Sequence, residues 1–186
     1  LAEGEVRGNG EGDERLLRVP CDIEEEDELR LDRIREEIGA AFDALRDVDD
    51  GVSLFGSARV DEGHPWYELT RETAACLTDH GYTVITGGGP GLMEAANRGA
   101  AEAGGETIGL NIELPHEQAT NPYVKRFLHF HYFFARKLMF VRYARALEDN
   151  GLISPVDKEL IVICDEPHDV CQHVIRASER QRAEAK

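Results

Sequence analysis

Two groups of residues have types and spacing that suit chemistry. Gly87-Gly88-Gly89-Pro90-Gly91 puts four glycines and a proline within five residues. The run follows Tyr82-Thr83-Val84-Ile85-Thr86, short, β-branched and apolar like a buried strand, and precedes Leu92-Met93-Glu94-Ala95-Ala96-Asn97-Arg98, which has the make-up of a helix. Strand, glycine turn and helix together offer unpaired backbone N–H groups and a positive dipole end to an anion. Without Cβ atoms the turn reaches φ > 0 and lets a phosphate approach the backbone. Gly87, Gly88, Gly89 and Gly91, with Met93 and Glu94 in the first helical turn, are therefore candidate binding residues. The second group is Arg136-Lys137, which opens a helix directly after a strand and can face the same pocket. Arg142 and Arg145, further along, read as a solvated helix face.

The stretch suggests a nucleotide or a sugar phosphate as ligand, and known motifs limit how it is held. The run is not G-x-G-x-x-G, because Leu92 stands where the third glycine would fall, and it follows the second strand rather than the first. There is no Gly-Lys pair for a P-loop and no G-x-S-x-G elbow. The competing reading is a tight βα turn with no ligand, which four glycines in five residues disfavour. His129 and His131 alternate on a short strand and read as a half-buried face; no third ligand lies at useful spacing, so no metal site is expected.

The elements that must position these groups alternate. Residues 1–20 carry Gly4, Gly8, Gly10 and Gly12 among charges and read as a flexible arm. Residues 21–50 hold an acidic N-terminal helix with Leu31, Ile34, Ile38, Ala41, Phe42 and Leu45 on one stripe. The first strand starts at Gly51 and ends in Gly56-Ser57, the position where α/β sheets place ligands. A simple turn is the alternative there. Pro65 suits the first turn of a helix running to about His80, with Leu69, Thr73, Ala74 and Leu77 inward and Gly81 ending it. A third strand spans residues 106–112, a loop 113–125, a fourth strand 127–131 and a helix 132–146. In that helix Phe133, Leu138, Met139, Val141 and Tyr143 are available for burial. Leu160-Ile161-Val162-Ile163-Cys164 reads as a last buried strand before a polar amphipathic helix. The expected fold is α/β: a Rossmann-like, doubly wound parallel sheet with helices on both faces, occupying residues 51–186 as one domain.

The totals exclude several classes. A chain of 186 residues is one domain's worth. Its net charge of −16 argues against DNA or RNA as partner, though a local pocket can still hold a mononucleotide. No apolar run reaches transmembrane length and no signal-peptide pattern is present. Cys21, Cys76, Cys164 and Cys171 form no C-x-x-C pair and read as free thiols of a reducing cytoplasm. A cytoplasmic protein is the expectation.

At GSAR (from Gly56), at GGGPGLMEAANRGA and at FARKLMFVRYA, the sequence resembles the LONELY GUY family of cytokinin-activating phosphoribohydrolases, over about residues 52–144. The resemblance implies hydrolysis of the N-glycosidic bond of a nucleoside 5′-monophosphate, AMP or an N6-prenylated relative, with no cofactor and no metal. It maps the family's catalytic Arg onto Arg136, its neighbouring Lys onto Lys137, and the nucleotide loop onto residues 87–94. It also implies a homodimer or larger homo-oligomer. The family's second signature, P-G-G-x-G-T-x-x-E, which carries the catalytic Glu, does not occur; after Gly109 the sequence has only Gly151. Tyr143-Ala144 runs directly into a stretch similar to the family's far C-terminal part. Roughly 40–60 residues, about two βα units, are thus missing near residues 144–146. A non-catalytic nucleotide-binding module is the alternative function. An NAD-dependent oxidoreductase is disfavoured because the first strand's turn lacks the glycine fingerprint.

Overall fold

The computed structural model describes residues 24–113, 120–147 and 166–184. The expected arm at 1–20 and strand at 160–164 lie outside the described residues. In chain order the elements are α1 (Glu24–Ala44), β1 (Gly51–Ser53), α2 (Pro65–Asp79), β2 (Thr83–Thr86), α3 (Leu92–Glu102), β3 (Thr107–Ile112), β4 (Arg126–Phe130), α4 (Phe133–Tyr143), β5 (Ala144–Leu147) and α5 (Pro167–Glu184). The strands form one sheet in the order β4-β3-β2-β1-β5, and every neighbouring pair is parallel. The Rossmann-like α/β expectation therefore holds.

Period-two alternation on β2 sends its side chains to opposite layers. Val84 packs with Ala74, Ala96 and Ala100 beneath α2 and α3. Ile85 packs with Ile108, Leu110, Met139 and Phe140 beneath α1 and α4. The first layer uses alanines, so α2 and α3 approach each other closely; the second uses large side chains. Pro65 opens α2, and the ring nitrogen Nδ1 of His64 accepts the Trp66 N–H at 3.1 Å, satisfying one amide of the first turn.

Three expectations need correction. Leu31 is 60% exposed, because among the described residues the apolar contacts of α1 with the body run through Ile34, Ile38, Ala41, Phe42 and Leu45 and do not reach it. The last helix before residue 147 ends at Tyr143. Ala144 and the residues after it pair with β1 in the register Gly51↔Ala144, Val52↔Ala146, and a ladder on the open edge of β1 outweighs their helix propensity. On α4 the buried residues are Ala135, Met139 and Phe140, while Phe133, Leu138 and Val141 remain exposed along with Phe134. Glu37 of α1 fixes this helix's start: its carboxylate accepts the His131 N–H at 2.8 Å and the Tyr132 N–H at 3.2 Å. An acidic group at a helix N-terminus also complements the dipole.

Candidate functional site

The glycine turn leaves β2 at Thr86 and is held by a buried polar chain. Gly88 N–H donates to Thr86 Oγ1 at 2.9 Å, and Thr86 Oγ1 donates to Asn97 Oδ1 at 2.7 Å. Asn121, from the segment before β4, donates through Nδ2 to Asn97 Oδ1 and to Gly89 O, both at 3.0 Å, and through its backbone N–H to Gly88 O at 2.9 Å. Thr86, Asn97 and Asn121 are all buried, so each bond is made away from water and losing one would strand a polar group. Asn97, which the sequence places one turn into the helix after the glycines, is part of the clamp, with no exposed area. Asn121 was missed altogether. Its only sequence signal is the Asn-Pro pair at 121–122, which announces a turn and not a long-range anchor.

Beyond the clamp, α3 opens without a side-chain cap, at Gly91. Leu92 N–H donates to Ser57 O at 3.0 Å, and Ala95 N–H to Gly91 O at 2.9 Å. The Met93 and Glu94 amides have no acceptor among the described residues. These two donors lie at the half-buried rim of the turn, at the positive end of the helix dipole. Glu94 is steadied by Tyr67 of α2, whose hydroxyl donates to Glu94 Oε1 at 3.3 Å; Tyr67 is buried, and burial raises its phenol pKa. Arg98, one turn later, pairs with Glu62 and Glu102 and lies over the Tyr123 ring.

Arg136 reaches this rim from the other layer. A Cβ built on Gly87 would sit 2.7 Å from Arg136 Nη2 and 2.8 Å from Met93 Sδ, so both side chains converge on that glycine. Arg136 Nε donates to Leu110 O at 2.7 Å, and its guanidinium lies 5.2 Å from the Phe140 ring centroid. Burial lowers its pKa below the ordinary arginine value. Among the described residues no carboxylate forms an ion pair with it. A desolvated cation without a counter-ion is costly, and an anion beside Gly87 would offset that cost.

Of the residues singled out in the sequence, Gly87, Met93 and Arg136 are brought together, and Glu94 lies one residue from Met93 on the same helical turn. Gly56 and Ser57 pack against the start of α3: a Cβ on Gly56 would lie 2.6 Å from Leu92 Cβ. Gly88, Gly89 and Gly91 are enclosed by protein, Gly88 against Phe127 and Gly109, and Gly91 against the backbone of Ser57 and Ala58. Lys137 is exposed. His131 is exposed beside Glu113, at 3.0 Å, and among the described residues no group of three or more His, Cys, Asp or Glu could hold a metal. A cleft of about 400 Å³ lined by Arg33, Glu36, Glu37, Glu113, His131 and Tyr132 includes neither the glycine turns nor Arg136, and its acidic lining is unsuited to an anion. Among the described residues no helix is long and apolar enough to cross a membrane.

The SLOG cluster4 family matches residues 51–146, which contain both glycine turns and Arg136. No curated protein matches the chain. Among solved structures the chain is similar to the structural-genomics target TM1055, at 30% identity over 51% of this chain and 55% of that one, TM-score 0.41. It is similar to the molybdenum cofactor carrier protein of Chlamydomonas reinhardtii, at 28% identity over 44% of this chain and 50% of that one, TM-score 0.39. The molybdenum cofactor binding protein of the phototrophic bacterium Rippkaea orientalis matches at 23% identity over 51% of this chain and 56% of that one, TM-score 0.42. The chain spans about half the length of the solved structures it matches.

Proposed function

The chain belongs to the SLOG cluster4 family, and on that premise we propose that it binds a nucleoside 5′-monophosphate at the rim formed by Gly87, Met93, Glu94 and Arg136 and hydrolyses its N-glycosidic bond. AMP, or an N6-prenylated relative, and water would give free base and ribose 5-phosphate. The observation that carries the reading is the Arg136 guanidinium, desolvated beside Gly87 and without a described carboxylate partner. Phosphate would accept hydrogen bonds from the Met93 and Glu94 amides, with the exposed Ser57 hydroxyl adding a donor. The Glu94 carboxylate would accept from a ribose hydroxyl. Arg136 is assigned the catalytic part. Its planar fork would orient the substrate and stabilise negative charge on the departing base. Lys137, exposed on the same helix, would add long-range attraction for the phosphate. No cofactor or metal enters this scheme.

Cleavage of a ribosyl–base bond passes through an oxocarbenium-like sugar, and a carboxylate helps by activating water or stabilising that cation. The motif to which the LONELY GUY resemblance assigns that carboxylate is absent from the sequence. Its absence favours a second reading, a nucleotide-binding module without catalysis. Incubation with AMP separates the two: adenine accumulating with time supports the hydrolase, and calorimetric binding without adenine supports the module. In either case Arg136→Ala should leave the fold intact and lower AMP affinity at least tenfold; in the hydrolase it should also cut adenine release by roughly a hundredfold. Full activity and affinity in that variant would remove Arg136 from the site.

We also propose a homodimer or larger homo-oligomer of a cytoplasmic chain, its contact formed by the exposed Phe133, Phe134, Leu138 and Val141 face of α4. Light scattering on the wild type and on Leu138→Glu would test the contact; a wild-type monomer would exclude it.

A further inference from the structure

Phe55 is an aromatic ring left 52% exposed two residues beyond the end of β1. The next residue, Gly56, touches Leu92, the first residue of α3, so the ring stands within one residue of the helix start proposed to hold phosphate. It packs at a tilt against Phe140, with ring centroids 4.8 Å apart and planes 53° apart, and Phe140 is in turn the ring beneath the Arg136 guanidinium, 5.2 Å away. One buried ring thus backs both the exposed aromatic and the desolvated cation. β1 is also where the strand order turns, with β2, β3 and β4 on one side and β5 on the other, and open α/β sheets bind ligands at the carboxyl ends of strands at such a switch point.

A bare sugar phosphate has no use for an aromatic surface at this place. A nucleobase does: every base has a π-face, and stacking on a protein aromatic is a substantial, sequence-tolerant contribution. We infer that Phe55, braced by Phe140, is the stacking platform for the base of the bound nucleotide and selects base-bearing phosphates over free sugar phosphates. The inference rests on the nucleotide reading of the Gly87–Arg136 rim and adds an apolar surface for the base beside the charge contact assigned to Arg136.

The test is calorimetric binding of AMP and of ribose 5-phosphate to the full chain, wild type and Phe55→Ala, with Phe55→Trp as the rescue. Phe55 is exposed, so its truncation should not compromise folding. AMP affinity should fall about tenfold or more in Phe55→Ala, the size of one lost stack, while ribose 5-phosphate affinity stays unchanged and Phe55→Trp restores AMP binding. Unchanged AMP affinity, or equal losses for both ligands, would overturn the platform while leaving the phosphate site standing. Wild-type affinity for ribose 5-phosphate equal to that for AMP would do the same. A wild-type chain binding neither ligand would overturn the nucleotide reading itself, and this proposal with it.

Discussion

The two glycine turns at the carboxyl edge of the sheet look alike and serve different ends. At the turn after β1, the space a side chain on Gly56 would fill belongs to Leu92, and Ser57 lends its carbonyl to the Leu92 amide. At the turn after β2, Gly91 closes the same contact from the other side: its missing Cβ would lie 2.3 Å from Ser57 O. Gly91 is thus a glycine for the backbone of Ser57 and Ala58, and Gly56 one for the Leu92 side chain; what both fix is the seating of α3. Gly87 differs. Its missing Cβ is bordered by the ends of two flexible side chains, Arg136 and Met93, both of which can interact with a ligand. A glycine at a strand end is therefore not by itself a binding residue. What its vacant Cβ position faces separates the two kinds: backbone or the packed root of a side chain for Gly91 and Gly56, the outer atoms of flexible side chains for Gly87.

The largest effect that would test this distinction is Gly91→Ala. At φ +73 and ψ −131 the residue occupies a conformation that L side chains rarely adopt, and the added methyl would meet backbone that cannot swing aside. Strain and overpacking together should cost roughly 3–5 kcal/mol, a large share of the ~5–15 kcal/mol a domain possesses. Urea denaturation should show a strongly lowered midpoint; a loss under about 1 kcal/mol would mean that α3 can reseat and that Gly91 is no packing glycine. The middle effect is Gly87→Ala. Its neighbours are side-chain tips and its backbone needs no positive φ, so stability should change by less than about 1 kcal/mol. AMP affinity should still fall roughly tenfold, because Arg136 and Met93 must move away from the rim. If both variants unfold alike, the two turns are equivalent and the comparison fails.

Much of the architecture was legible because it rests on local chemistry. The Thr83-Val84-Ile85-Thr86 run, the Pro65 start and the glycine breaks each have a short-range cause, and the strands and helices appear where those causes put them. What the sequence could not show depends on partners distant along the chain. Ala144 to Ala146 look helical in isolation and become part of a strand only because β1 offers an open edge. Leu31 fits the apolar stripe of α1 but lies beyond the reach of the body. In the site, the glycine turn and Arg136 were readable as types, yet their meeting at Gly87 arises from two helices on opposite layers of the sheet. Asn121 was invisible for the same reason: its three bonds to residues 88, 89 and 97 span more than twenty positions. Helical phase also separates Arg136 from Lys137, since neighbours on a helix point about 100° apart and only one of the pair can face the turn.

Ser57 belongs to both sides of the comparison, and the smallest effect falls there. Its carbonyl holds the Leu92 amide, a bond that no side-chain replacement removes, while its hydroxyl oxygen accepts the Arg59 N–H at 3.2 Å in an exposed local turn. An exposed bond of this kind contributes at most about 1 kcal/mol, so Ser57→Ala should barely move the unfolding midpoint. The hydroxyl proton has no acceptor among the described residues and is free to donate to a phosphate oxygen. Its loss should therefore weaken AMP binding roughly threefold by calorimetry, in line with one solvent-shared hydrogen bond. The opposite pattern, stability lost and affinity kept, would make the first turn wholly a support for α3 and confine the site to residues 87–94 and Arg136.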